Sequence, residues 1–197
     1  MEEITQLFTN LDFNWSIIES VAVLFSILYV ILAAKENIWC WAAAIINVSL
    51  YVYIFYTVQL YPETGLQIFY FIMAIVGYYM WNKQDKERIK EWSETKHLLI
   101  ILFGAIFTFF MGFYFSTYTD SQMPIIDSFT TVFSIIATYM VIKKVLRNWL
   151  YWIVIDAVSV YIYFNRDLHL TSLLFVAYTI IAVFGYFAWM KRMKTNA

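Results

Sequence analysis

Seven apolar runs, each near the length an α-helix needs to cross a bilayer, follow one another along this chain with short polar breaks between them. A hydrocarbon core about 30 Å thick takes about 20 helical residues. The runs are Trp15–Ala34, Asn37–Val58, Thr64–Trp81, His97–Phe115, Ile125–Ile142, Asn148–Phe164 and Leu170–Met190. The breaks carry Lys35-Glu36, Pro62-Glu63, the charged stretch from Lys83 to Lys96, the polar stretch Ser116–Pro124, Lys143–Arg147 and Asn165–His169. Lipid offers backbone groups no hydrogen-bond partners, so runs of this length are predicted to be helices and the chain an all-α membrane protein with seven transmembrane helices.

Composition excludes the common alternatives. The chain is 62% hydrophobic and 14% charged, against about 45–50% and about 25% for a soluble domain. A net charge of −1 leaves no footprint for nucleic acid. The single cysteine, Cys40, allows neither an internal disulfide nor a cysteine zinc site and reads as a small buried hydrophobe. Residues 1–14 form an acidic lead with Glu2, Glu3 and Asp12, the opposite of a signal peptide's basic start. The first run is therefore expected to stay as an anchor.

Positive charge orients the spans, since cytoplasmic loops carry an excess of Lys and Arg. Lys35, Lys83, Lys86, Arg88, Lys90, Lys96, Lys143, Lys144, Arg147, Lys191, Arg192 and Lys194 fall on one side of a seven-span chain, 12 of its 13 basic residues. Arg166, with Asp167 beside it, falls on the other. The expected topology is N-terminus outside and C-terminus cytoplasmic, in the plasma (inner) membrane.

The two ends of the chain resemble each other. Displaced by 108 positions, Glu19-Ser20 lies over Asp127-Ser128 and Phe25-Ser26-Ile27 over Phe133-Ser134-Ile135. Leu66, Tyr70, Ala74, Gly77, Tyr78, Trp81 and Lys83 likewise match Leu174, Tyr178, Ala182, Gly185, Tyr186, Trp189 and Lys191. The middle span is aligned with a drift of two or three residues, placing Asn37 over Asn148, Trp41 over Trp152 and Ser49 over Ser159. This predicts a first three-helix repeat over 15–81, a region 82–124 holding a cytoplasmic loop, one linking helix and an outer loop, a second repeat over 125–190, and a cytoplasmic tail over 191–197. An odd number of spans per half plus one linker makes a 3+1+3 arrangement of parallel repeats, with any substrate near the midplane between them.

The sixth run carries the chemistry. Helical spacing puts Trp149, Trp152, Asp156, Ser159 and Tyr163 on one face, with Asp156 at mid-span. A carboxylate at that depth is costly unless it meets a partner or a watery cavity, and marks a functional site by default. No lysine or arginine lies within a span to pair with it. Three readings follow: it is protonated, it is hydrogen-bonded to neighbours such as Asn47 or tyrosine hydroxyls, or it balances a cation that comes and goes. Aromatic faces attract organic cations by about 0.5–2 kcal/mol each, which favours the third. Gln67, Tyr70, Ala74, Gly77 and Trp81 make a stripe on the third run, and Trp41, Ala44, Asn47 and Tyr51 another on the second. Either stripe also serves packing. Trp81 and Trp189, beside basic residues, read as interfacial anchors, with Trp39 and Trp41 candidates for the same role. Glu19 and Asp127 read as charges at helix starts, and His97 and His169 as interfacial residues. No cofactor or metal is implied.

These motifs resemble the PnuC vitamin transporters over nearly the whole chain. They are Asn37-Ile38-Trp39-Cys40-Trp41, then Leu66-Gln67-x-Phe69-Tyr70 through Gly77-Tyr78-x-x-Trp81, and Asn148-Trp149-x-x-Trp152-x-x-x-Asp156. The last is the most specific, the family carrying two tryptophans followed by Asn or Asp. The resemblance implies a full-length SWEET-like fold, often trimeric, and facilitated diffusion in which a cytoplasmic kinase traps the vitamin. Some members have an extra N-terminal helix, for which the lead here is too polar. Nicotinamide riboside is the family's default substrate. Thiamine stands beside it, because riboside members frequently have Asn where this chain has Asp156. The expected binding set is Trp149, Trp152, Asp156, Ser159, Asn47, Trp41, Tyr51, Gln67, Tyr70, Asn148 and Tyr163. A proton-coupled carrier using Asp156 is a further reading. A membrane enzyme or receptor subunit finds no support, since no span carries a histidine cluster, carboxylate pair or phosphate loop.

Overall fold

The computed structural model describes residues 17–57, 61–83, 88–119, 122–166 and 168–195. The acidic lead, Trp15, Val58, Lys86 and Asp167 lie outside these residues. Seven helices are found among them: α1 Ile17–Ala34, α2 Trp39–Thr57, α3 Tyr61–Lys83, α4 Glu94–Tyr118, α5 Pro124–Ile142, α6 Asn148–Asn165 and α7 His169–Thr195. Each covers one apolar run, with ends shifted by a few residues.

Six of the seven are long and apolar enough to cross a membrane. The exception is α6, whose 18 residues include Asn148, Asp156 and Ser159. It packs between α5 and α7, so the helix that carries these polar residues has a neighbour on two sides. The linking helix α4 has the opposite character: its backbone packs on α5, and His97 at its start reaches Tyr151 of α6. Phe103, Phe107, Phe110 and Phe113 on α4 are exposed while Gly104, Thr108 and Gly112 are buried. Large apolar groups outside and small ones at the helix contact is the pattern a lipid solvent favours.

In each half the middle helix packs on both neighbours, α2 on α1 and α3, α6 on α5 and α7. The halves meet through α1 against α7 and α3 against α5. The turns after α1 and α5 are built alike. Asn37 N–H donates to Leu32 O at 2.9 Å and Glu36 N–H to Ala33 O at 2.9 Å. Val145 N–H donates to Met140 O at 2.9 Å and Lys144 N–H to Val141 O at 3.0 Å. This is the bonding of a helix closed by one left-handed residue, here Glu36 (φ 54°) and Lys144 (φ 51°).

The displacement of 108 therefore runs unbroken into the middle helix, and the expected drift there is corrected. Trp41 corresponds to Trp149, not Trp152: a Cβ on Gly77 would lie 2.5 Å from the Trp41 ring, and one on Gly185 2.8 Å from the Trp149 ring. Each third helix carries a glycine because the middle helix lays an indole across it.

A second correction concerns Trp81 and Trp189. They are 3% and 0% exposed rather than interfacial. Trp81 Nε1 donates to Ile142 O at 3.2 Å and Trp189 Nε1 to Ala33 O at 3.0 Å, so each fastens its own half to the other. Trp41 meets Trp81 edge-on at 5.4 Å, Trp81 meets Trp189 at 6.3 Å, and Trp189 meets Trp149 edge-on at 5.5 Å. This row of four indoles fills the end of the molecule where α1, α3, α5 and α7 finish. Cys40 is fully buried there, while Trp39 is exposed. His97 is also buried rather than interfacial, held by Glu91 at 2.9 Å and the Tyr151 hydroxyl at 3.1 Å.

Candidate functional site

Asp156 lies midway along α6, 4% exposed. No hydrogen bond or ion pair reaches its carboxylate among the described residues. Of the readings open for it, a permanent bond to Asn47 is not found: the Asn47 amide donates instead to Ala22 O on α1 at 2.7 Å. At a displacement of 108, Val48 stands opposite Asp156 and Ile155 opposite Asn47, so the resemblance between the two ends of the chain does not extend to these residues.

Around Asp156 stand groups that the sequence placed in several helices. Tyr178 of α7 is close enough to interact electrostatically with Asp156 and with Tyr51 of α2. Tyr51 in turn lies near Tyr163 and Glu19. Tyr163 stacks on Phe175 at 5.1 Å, and Phe175 meets Tyr178 edge-on at 5.6 Å. The Tyr178 hydroxyl is hydrogen-bonded to Ser26 of α1, across the boundary between the halves. The matching pair, Tyr70 of α3 and Ser134 of α5, also lie near each other.

The expected binding residues divide between this interior and the packed end. Asp156 and Tyr51 each lie near Tyr178, Tyr163 lies near Tyr51, and Ser159 is buried one turn beyond Asp156 on α6. Tyr70 faces Ser134 of α5. Gln67 is half-buried, and no hydrogen bond to its amide is found among the described residues. Trp152 is partly buried and touches both apolar clusters, the indole end on one side and Phe133, Ala137 and Ile155 on the other. Trp41, Trp149 and Asn148 lie elsewhere. The two indoles are wedged against Gly77 and Gly185, and Asn148 donates to Val145 O at 2.7 Å, closing the turn before α6.

Two residues of the interior, Ser26 and Tyr178, were not among those expected. Both stood in the repeat alignment, Ser26 over Ser134 and Tyr70 over Tyr178. That alignment pairs equivalent positions and is silent on which half each one touches.

Six helices of membrane length make this a multi-pass membrane protein, and the proteins it is similar to are transporters rather than enzymes. The family profile described as nicotinamide mononucleotide transporter matches residues 16–191, and the chain belongs to that family. It is 28% identical to the nicotinamide riboside transporter PnuC of Escherichia coli over 212 residues, covering 93% of this chain and 88% of the relative. It is 28% identical to the protein of the same name from Neisseria mucosa over 193 residues, covering 90% and 73%. Among solved structures, the crystal structure of the vitamin B3 transporter PnuC superimposes with a TM-score of 0.75 at 27% identity, covering 98% of this chain and 88% of that one.

Proposed function

We propose that this protein carries nicotinamide riboside across the membrane by facilitated diffusion, with Asp156 facing the cationic pyridinium ring. The observation that carries this reading is a buried carboxylate left without a protein donor. Such a group is tolerated in a membrane when a cation arrives to balance it. Trp152 supplies a ring face, Tyr51, Tyr163 and Tyr178 add polar aromatic walls, and Gln67 and Ser159 offer hydrogen bonds to the ribose. Trp41, Trp149 and Asn148 support the site from the packed end.

The reading includes seven spans in two parallel repeats, 15–81 and 125–190, in a SWEET-like 3+1+3 order. The matched turns at Glu36 and Lys144 support it. It also includes N-terminus outside and C-terminus inside, supported by the Lys and Arg distribution, a homotrimer, and trapping of the vitamin by a cytoplasmic kinase. Thiamine is the competing substrate, because Asp156 suits any permanent cation.

The test is uptake into vesicles holding the purified protein. Labelled nicotinamide riboside enters in a protein-dependent way, and an imposed pH gradient leaves the rate unchanged. Absence of entry removes the proposal; entry that follows the gradient selects a proton-coupled carrier. Competition binding with thiamine and the riboside ranks the two vitamins.

A further inference from the structure

The turns that end α1 and α5 each place a residue with a side chain where glycine is the usual choice. Glu36 and Lys144 adopt φ of 54° and 51°, and glycine would close either turn without the steric penalty that a Cβ meets there. The two residues that stand in its place have opposite charges, occupy matching positions and pair with each other. Lys144 Nζ donates to Glu36 Oε1 at 2.8 Å, with side chains 7% and 20% exposed. Lys144 Nζ also lies 5.0 Å from the centre of the Trp81 ring. Arg192 of α7 donates to Lys35 O in the same α1 turn.

These contacts join the halves at one end, in front of the indole row and the Trp81 and Trp189 bonds. A carrier built from two halves rocks one against the other, and each end of the site must part in turn. Strained residues collect at such switch points because the surrounding contacts hold them in one state. We propose that Glu36 and Lys144 are positioning residues of a gate at the C-terminal end of the molecule: their ion pair keeps the halves shut there, and its release opens the central site to that side. The inference rests on the transporter reading but not on which vitamin is carried.

The test uses Cys40, the chain's one cysteine and fully buried beside this pair. Full-length protein in nanodiscs is treated with a charged, membrane-impermeant maleimide. Replacing both residues (Glu36→Gly with Lys144→Gly) keeps the turns and removes the pair, together with the 3.5 Å contact of Arg192 with Glu36, leaving Arg192 its bond to Lys35 O. Labelling of Cys40 is expected to speed up about tenfold as the two-state balance shifts towards the open form, with the thermal midpoint held. Lys144→Arg, which keeps the pair, retains the slow parental rate. Should the double variant fail to fold, Trp189→Phe removes the indole bond to Ala33 O and trims the ring contacts with Trp81 and Trp149, and is expected to give a smaller rise. Parental labelling in the double variant, or in Trp189→Phe when that is the variant available, overturns the gate, as does fast labelling in Lys144→Arg. The readout needs no substrate, so failure of the gate and failure of riboside transport are told apart.

Discussion

Asp156 and Trp152 sit one turn apart on α6, yet their surroundings differ, and single substitutions separate their roles. Asp156→Asn keeps the shape of the side chain and removes its charge. Because no protein donor satisfies the carboxylate, the change is expected to weaken both permanent cations, nicotinamide riboside somewhat less than thiamine because hydroxyls on the ribose keep their own partners. Unchanged binding of both, measured by calorimetry, would show that charge balance is not its task. Trp152→Ala should weaken any flat cation by roughly 1–2 kcal/mol if its ring is stacked on the ligand. A binding constant that does not move assigns Trp152 to packing, alongside Trp41 and Trp149.

Between α2 and α3, and between α6 and α7, one glycine–indole contact is too close to admit a side chain. At Gly77 and Gly185 an added methyl would meet the indole rings of Trp41 and Trp149 at 2.5 and 2.8 Å. Those rings are 1% and 2% exposed and locked edge-on against Trp81 and Trp189, so they have no room to swing away. Gly77→Ala and Gly185→Ala are each expected to destabilise by about 1–3 kcal/mol, the usual range for overpacking. Thermal unfolding in detergent reads this directly. Similar drops for the two variants would reflect the equivalence of the contacts; a drop at one alone would mean that the halves pack differently.

Among the described residues the basic side chains gather at one end of the molecule, and that end is where the Trp81 and Trp189 bonds lie. Lys144, Arg147 and Arg192 lie there, Arg147 paired with Glu94 and Lys144 with Glu36. Near the opposite end Arg166 is paired with Asp127 at 2.7 Å, a partner in another helix that neighbouring positions alone did not suggest. If the basic end faces the cytoplasm, a fluorescent protein fused after Ala197 fluoresces and a periplasmic reporter enzyme fused there stays inactive. The reverse result inverts the topology.

Hydrophobicity and charge act through local composition, so the helical class, the number of helices and the candidate acid could be read along the chain. The glycines at positions 77 and 185 were visible as a repeated motif for the same reason. What the chain order does not carry is which half a side chain reaches. Trp81 and Trp189 look like interfacial anchors beside Lys83 and Lys191, but in the folded molecule their N–H groups bond the opposite half. Ser26 meets Tyr178 and Glu36 meets Lys144 across 152 and 108 residues. Those meetings depend on packing α1 against α7 and α3 against α5, a choice made by the shapes of whole helices and invisible at any single position.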